Sequence, residues 1–148
     1  MDAVNFFSKE EKALIKSAVQ EAELNTSGEI RVHIDNRCKE DVMDRAAWWF
    51  AKLDMHKTEK RNGVLFYLAV KDRKFAIIGD GGINAVTSDD FWDKIKENML
   101  ARFQEGKFAE GLREGILMAG EQLKKHFPHQ VDDVNELSDD ISFGGKES

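Results

Sequence analysis

Cysteine and long apolar runs are scarce in this sequence, and basic residues are in deficit. A single thiol, Cys38, permits no internal disulfide and no four-cysteine zinc site, so the chain suits a reducing compartment. The longest apolar run covers residues 64–70, far below the ~20 residues of a bilayer span. Met1-Asp2-Ala3-Val4-Asn5 shows neither the basic start nor the apolar stretch of a secretory signal. A cytoplasmic protein with no membrane span is therefore expected. With 22 Lys and Arg against 28 Asp and Glu, the net charge is −6. Phosphate-rich partners want clustered bases, so nucleic acid is not an expected ligand. Cations or basic partners suit the charge better.

What is present fits one charge-rich globular domain. The 148 residues are 41% apolar and 34% charged, enough for one hydrophobic core. No internal repeat or low-complexity tract interrupts them. After Pro128 the composition shifts: residues 129–148 hold six acids and one lysine, a charge of −5, which leaves −1 for residues 1–128. A folded unit over 1–128 and a mobile or loosely docked acidic C-terminal tail over 129–148 are expected, the tail being dispensable for folding. Asp132, Asp133, Asp139 and Asp140 lack the glycine and spacing of an EF-hand loop.

Ser8 with Glu11 three residues on forms a capping box, and Leu14, Ile15, Ala18, Val19 and Ala22 follow at helical spacing. Asn25-Thr26-Ser27-Gly28 stops that helix. Ile30, Val32 and Ile34 then alternate with Arg31, His33 and Asp35, which predicts a strand with one face buried and His33 on the surface. A helical pattern covers 40–57, with Trp48 and Trp49 at the core or its rim. Residues 63–70 are apolar on both faces and predict a central strand. Lys71-Asp72-Arg73 turns into a hairpin partner over 74–78. Gly79-Asp80-Gly81-Gly82 ends that strand as a tight turn. Two helices follow, one entered through Thr87, Ser88, Asp89 and Asp90, the other running from Phe108 to a stop at Pro128.

The order α-β-α-β-β-α-α makes the first two strands parallel and the third antiparallel to the second. Glu29, Asn62 and Asp80 must then share one end of the sheet, with Asp89 and Asp90 nearby, while Asp35 and Asp72 share the other. Several carboxylates converge beside glycines that let the backbone approach, which is what a hard cation such as Ca2+ or Mg2+ needs. The same acids also serve as helix caps and turn formers. A second cation site between Asp35 and Asp72 is the weaker alternative. Gly79-Asp80-Gly81-Gly82 has the spacing of neither a dinucleotide fingerprint nor a P-loop. Cys38 and Arg45 are one residue too far apart for a thiol-phosphatase loop. No aspartyl-phosphatase motif is present, and His126 and His129 have no partner ligands.

The stretch Asn62-Gly63-Val64-Leu65, then Val70-Lys71-Asp72-Arg73-Lys74, then Gly79-Asp80-Gly81-Gly82-Ile83-Asn84 and Asp89 resembles the TPM domain. This family is named for a thylakoid lumen protein, a photosystem II-associated protein and a nematode receptor modulator. The resemblance runs over about 8–127 and includes Gly106-Lys107-Phe108 and Gly111. It implies a Rossmann-like α/β/α sandwich, with one mixed sheet and helices on both faces, and a divalent-cation site, usually for calcium. The family also carries a phosphatase label. Asp80 and Asn84 stand where other branches often have an aromatic residue and an acid.

The expected function is a soluble, monomeric interaction module that binds Ca2+ or Mg2+ through Glu29, Asp80, Asp89 and Asp90 and recognises a protein partner. The alternative is a metal-dependent phosphatase acting on small phosphate esters, the cation polarising a phosphoryl oxygen and activating water. No catalytic nucleophile is identified from the sequence.

Overall fold

The structure is a computed structural model that describes residues 3–129 and 138–144. In chain order it comprises α1 (Ala3–Phe6), α2 (Lys9–Glu23), β1 (Glu29–Asp35), α3 (Val42–Lys52), a 3-10 turn (Met55–Lys57), β2 (Gly63–Ala69), β3 (Lys74–Gly79), α4 (Gly81–Asn84), α5 (Asp89–Gln104), α6 (Phe108–His126) and β4 (Ser142–Phe143). The capping box forms as read: Ser8 Oγ accepts from Glu11 N–H, and the Glu11 carboxylate accepts from Ser8 N–H. Asp41 caps α3 by accepting from the amides of Met43 and Asp44. Gly106, at φ 79°, takes the left-handed conformation that ends α5.

The sheet order is β3-β2-β1-β4. β1 and β2 run parallel from Glu29↔Gly63 to Asp35↔Ala69, and β3 returns antiparallel to β2. β2 is therefore internal, as its two-sided apolar run requires, and all seven of its residues are buried. One face carries Ile30, Val32, Ile34, Val64, Phe66 and Leu68 against apolar residues of α2, α5 and α6. The other carries Leu65, Tyr67, Ala69 and Ala76 against Ala46 and Phe50 of α3 and Met55 of the 3-10 turn. This is an open, mixed α/β sheet with helices on both faces. Each fully buried large aliphatic side chain contributes about 1.5–3 kcal/mol through removal from water, so both layers stabilise the sheet.

Three features depart from the sequence reading. β1 is buried on both faces: His33 and Asp35 are fully enclosed and only Arg31 is partly open. The alternation marked polar residues that satisfy one another beneath α3, not a solvent face. In addition, residues 138–144 lie against the domain, with β4 parallel to β1 through His33↔Ser142 and Ile34↔Phe143. Ile141 and Phe143 pack on the larger core. Val131, Val134, Leu137, Asp132 and Asp133 of the expected tail lie outside the described residues. Gly79 ends β3, Asp80 caps the short helix α4 and Gly81 and Gly82 open it, in place of a bare turn.

Candidate functional site

The parallel register brings Glu29, Asn62, Gly63 and Asp80 together at one end of the sheet. Glu29 N–H donates to Asn62 O (3.2 Å), Glu29 pairs with Gly63, and Asp80 N–H donates to Gly63 O (2.9 Å). Glu29, Asn62 and Asp80 are all buried. The Asp80 carboxylate accepts from Gly81 N–H at 2.7 Å, capping α4, and from Arg61 Nε and Nη2, both at 2.8 Å. Burial alone would raise its pKa, but the guanidinium and the amide outweigh that and hold it below the ordinary carboxylate value. Arg61 itself adopts a positive φ of 51°. Its carbonyl accepts from Gly82 N–H at 2.9 Å. A Cβ on Gly82 would fall 2.3 Å from Lys60 O and 2.6 Å from Arg61 O, so the two loops meet only because residue 82 is glycine.

Asn62 donates from Nδ2 to Ser27 Oγ (3.4 Å), while its buried Oδ1 has no hydrogen-bond partner among the described residues. Asp89 and Asp90 sit in the exposed first turn of α5, after the Ser88 N-cap. The structure thus joins two of the four sequence-predicted acids, Glu29 and Asp80, through one strand register. It adds Arg61, which the sequence reading had not placed there, and gives Asn62, already expected at this end, a side chain that faces the interior. Among the described residues, no three His, Cys, Asp or Glu side chains are grouped so as to hold a metal ion.

At the opposite end, Asp35 is the hub of a buried polar network. It accepts from Tyr67 Oη (2.6 Å), Trp49 Nε1 (2.9 Å), His33 Nε2 (2.9 Å) and, more distantly, Arg45 Nε (3.4 Å). Burial opposes its charge, yet the bonds from His33, Tyr67 and Trp49 keep it ionised and its pKa low. Burial and Asp35 push the Tyr67 phenol well up, so it stays a donor. An ionised carboxylate only accepts, so His33 carries its proton on Nε2 and leaves Nδ1 to accept from Ser142 Oγ at 2.7 Å. The imidazole lies stacked on Trp49 with centroids 3.7 Å apart.

Ser142, His33 and Asp35 follow the order of a hydrolytic triad, but their geometry opposes that chemistry. A triad histidine must return the proton it took from serine to a leaving group, through the same nitrogen. His33 is wholly enclosed, and Ser142 occupies Nδ1. The arrangement locks β4 onto β1.

Asp72 does not join Asp35 through a shared ligand. It accepts from Cys38 N–H (2.7 Å) and Arg37 Nη1 (3.3 Å), which shapes the 36–38 turn. Cys38 is buried, with Sγ 3.3 Å from Glu40 O.

The TPM domain family model matches residues 1–122. The chain belongs to the TPM domain family. This TPM domain is 48% identical to the BA42 protein of the psychrophilic bacterium Bizionia argentinensis, whose NMR structure superposes with a TM-score of 0.89 over 95% of this chain and 97% of that one. More distant structures show the fold alone. The N-terminal domain of a protein from P. gingivalis is 20% identical, with a TM-score of 0.69 over 87% of this chain and 85% of that one. The N-terminal domain of cg2496 from Corynebacterium glutamicum is 14% identical, with a TM-score of 0.66 over 82% and 77%. No curated protein matches. Among the described residues of this TPM domain, no helix is long and apolar enough to cross a membrane.

Glu23, at the end of α2, was also missed by the sequence reading. Its carboxyl accepts from Ile30 N–H at 2.7 Å. Burial first, then the neighbouring Asp139, pushes its pKa up to about 10, against the smaller opposing effect of the Ile30 amide. A raised folded-state pKa means stability that is full below the unfolded value of 4.5 and is lost as pH climbs through the folded value near 10. Glu23→Gln copies the protonated form and escapes that loss. It is expected to unfold at a higher urea concentration than the parent at pH 8, with the gap closing towards pH 4.5. Equal urea midpoints at both pH values would contradict an uncharged Glu23.

Proposed function

We propose that this TPM domain binds a divalent cation of the calcium or magnesium class at the sheet end formed by Glu29, Asn62 and Asp80, and acts as a cation-responsive interaction module. The observation that carries the reading is the buried Asn62 Oδ1, which has no hydrogen-bond partner among the described residues, at the sheet end that also holds the buried Glu29 and Asp80. A polar oxygen removed from water without a donor is costly, and a hard cation or its bound water would satisfy it. Asp80 meanwhile holds a counter-ion on a side chain that is 57% exposed. Arg61 can swing into solvent when a cation takes the carboxylate. Asp89 and Asp90 supply outer negative charge at the adjacent helix start, where they also favour its dipole.

Competition with Arg61 gives the reading its test. Calcium at a hundred times its dissociation constant should stabilise the parent by about 2.7 kcal/mol. Arg61→Gln removes the resident cation and should bind calcium more tightly, whereas Asp80→Asn should abolish calorimetric binding. Failure of both calcium and magnesium to bind the parent and Arg61→Gln would overturn the site. The same preparations decide the phosphatase alternative: phosphate release from p-nitrophenyl phosphate that rises with bound cation and vanishes in Asp80→Asn would establish turnover.

A further inference from the structure

Among the described residues, the outer edge of β1 is closed by very little chain. β4 pairs over two residues, and Gly144 N–H adds one more bond to Ile34 O at 3.0 Å. Further along the same edge, Ile30 N–H is met by a side chain, Glu23, instead of a strand. The side chains of the docked segment nevertheless enter defined places. Ile141 and Phe143 pack on the larger core, with the Lys12 ammonium 5.4 Å above the Phe143 ring. Ser142, between them, points to the other face and reaches His33 Nδ1, and its Oγ also lies 3.3 Å from Val32 O. Asp140 pairs with Lys16 at 2.7 Å. Alternating side chains in separate places, held beside a short backbone ladder, are the signature of strand addition to a sheet edge.

We propose that the β1 edge is a peptide-binding site whose resident ligand is the chain's own residues 138–144. Its exchangeable partner is an extended segment of another polypeptide, with an acid, an apolar residue, a small hydroxyl residue and an aromatic residue in succession. The resident copy defines that chemistry: the acid meets Lys16, the hydroxyl meets the acceptor nitrogen of His33, and the flanking apolar side chains meet the core. A covalently attached ligand competes at an effective concentration in the millimolar range. Attachment adds that advantage to the contacts of a two-residue ladder, and a partner segment that makes the same contacts and pairs further along the edge can replace it. The site is separate from the cation cradle at the Glu29–Asp80 end and does not depend on it.

The experiment uses the full chain and a fluorescent peptide of residues 138–144, Ser-Asp-Asp-Ile-Ser-Phe-Gly, followed by anisotropy. In a chain carrying Ile141→Asp and Phe143→Asp the resident strand is evicted, and the peptide should bind at least about tenfold more tightly than to the parent. Lys16→Glu, an exposed change that leaves the core alone, should weaken binding in that background, and a peptide carrying Asp140→Lys should restore it. Far-UV circular dichroism establishes that each variant is folded. Should the evicted variant itself not fold, the parent with and without Lys16→Glu, titrated to high peptide concentration, gives the same charge-swap readout. Equal affinity for parent and evicted chain, or no rescue by the charge swap, would overturn the proposal.

Discussion

Asp35→Ala is expected to lower the unfolding free energy by about 3–5 kcal/mol, the cost of breaking a buried charged network by removing one partner. The carboxylate is fully enclosed and is the acceptor for Tyr67, Trp49 and His33. Deleting it leaves the buried Tyr67 and His33 donors, and the half-buried Trp49 indole, without that acceptor, and each buried group carries a desolvation penalty of roughly 1–3 kcal/mol. Urea unfolding should show the lower midpoint with an unchanged slope. Tyr67→Phe made in the Asp35→Ala background should then cost less than in the parent, because its acceptor has already gone. Additive effects would show that Tyr67 does not depend on Asp35.

Acid should act on the same network in the parent. Burial, opposed by the Asp35 bond, lowers the pKa of His33. A depressed folded-state value means that stability is present above the unfolded value of 6.5 and is lost as pH falls towards the folded one. Asp35 has the same sign, its contribution being lost only below 3.8. Two successive losses on the acid side are expected, and His33→Gln should remove the first.

Deletion of residues 138–148 is expected to cost about 2–4 kcal/mol, or roughly 5–15 °C in thermal midpoint for a chain of this size. The loss exposes the core beneath Ile141 and Phe143 and takes the hydroxyl donor from His33 Nδ1. Composition alone had suggested a dispensable tail, which predicts a shift of only a few degrees. Differential scanning calorimetry separates the two. Ser142→Ala, which removes the hydroxyl but keeps the strand, should reproduce only the smaller part of the loss, on the order of 1 kcal/mol.

Several parts of the molecule were legible because their cause is local. The Ser8–Glu11 capping box, the two-sided apolar run of β2 and the hairpin at Lys71-Asp72-Arg73 each depend on neighbours a few residues away. The chain order then fixed more than local structure. A helix between two strands made them parallel, which placed Glu29 at the same end of the sheet as Asn62 and Asp80. The family resemblance was carried by the same short motifs and agrees with the match over residues 1–122.

What the sequence by itself determined, then, is the four long helices and three main strands, the direction of those strands and the end of the sheet at which Glu29 and Asp80 meet. The tertiary structure decided which polar groups find partners. Arg61 is the counter-ion of Asp80, His33 is buried because Trp49 stacks over it, and Ser142 returns across 109 positions to complete the edge of β1. The physical reason is that periodicity records only the polarity of a side chain. A polar residue beside water and one satisfied by a distant donor look the same in sequence, and only the packed chain brings the donor to it.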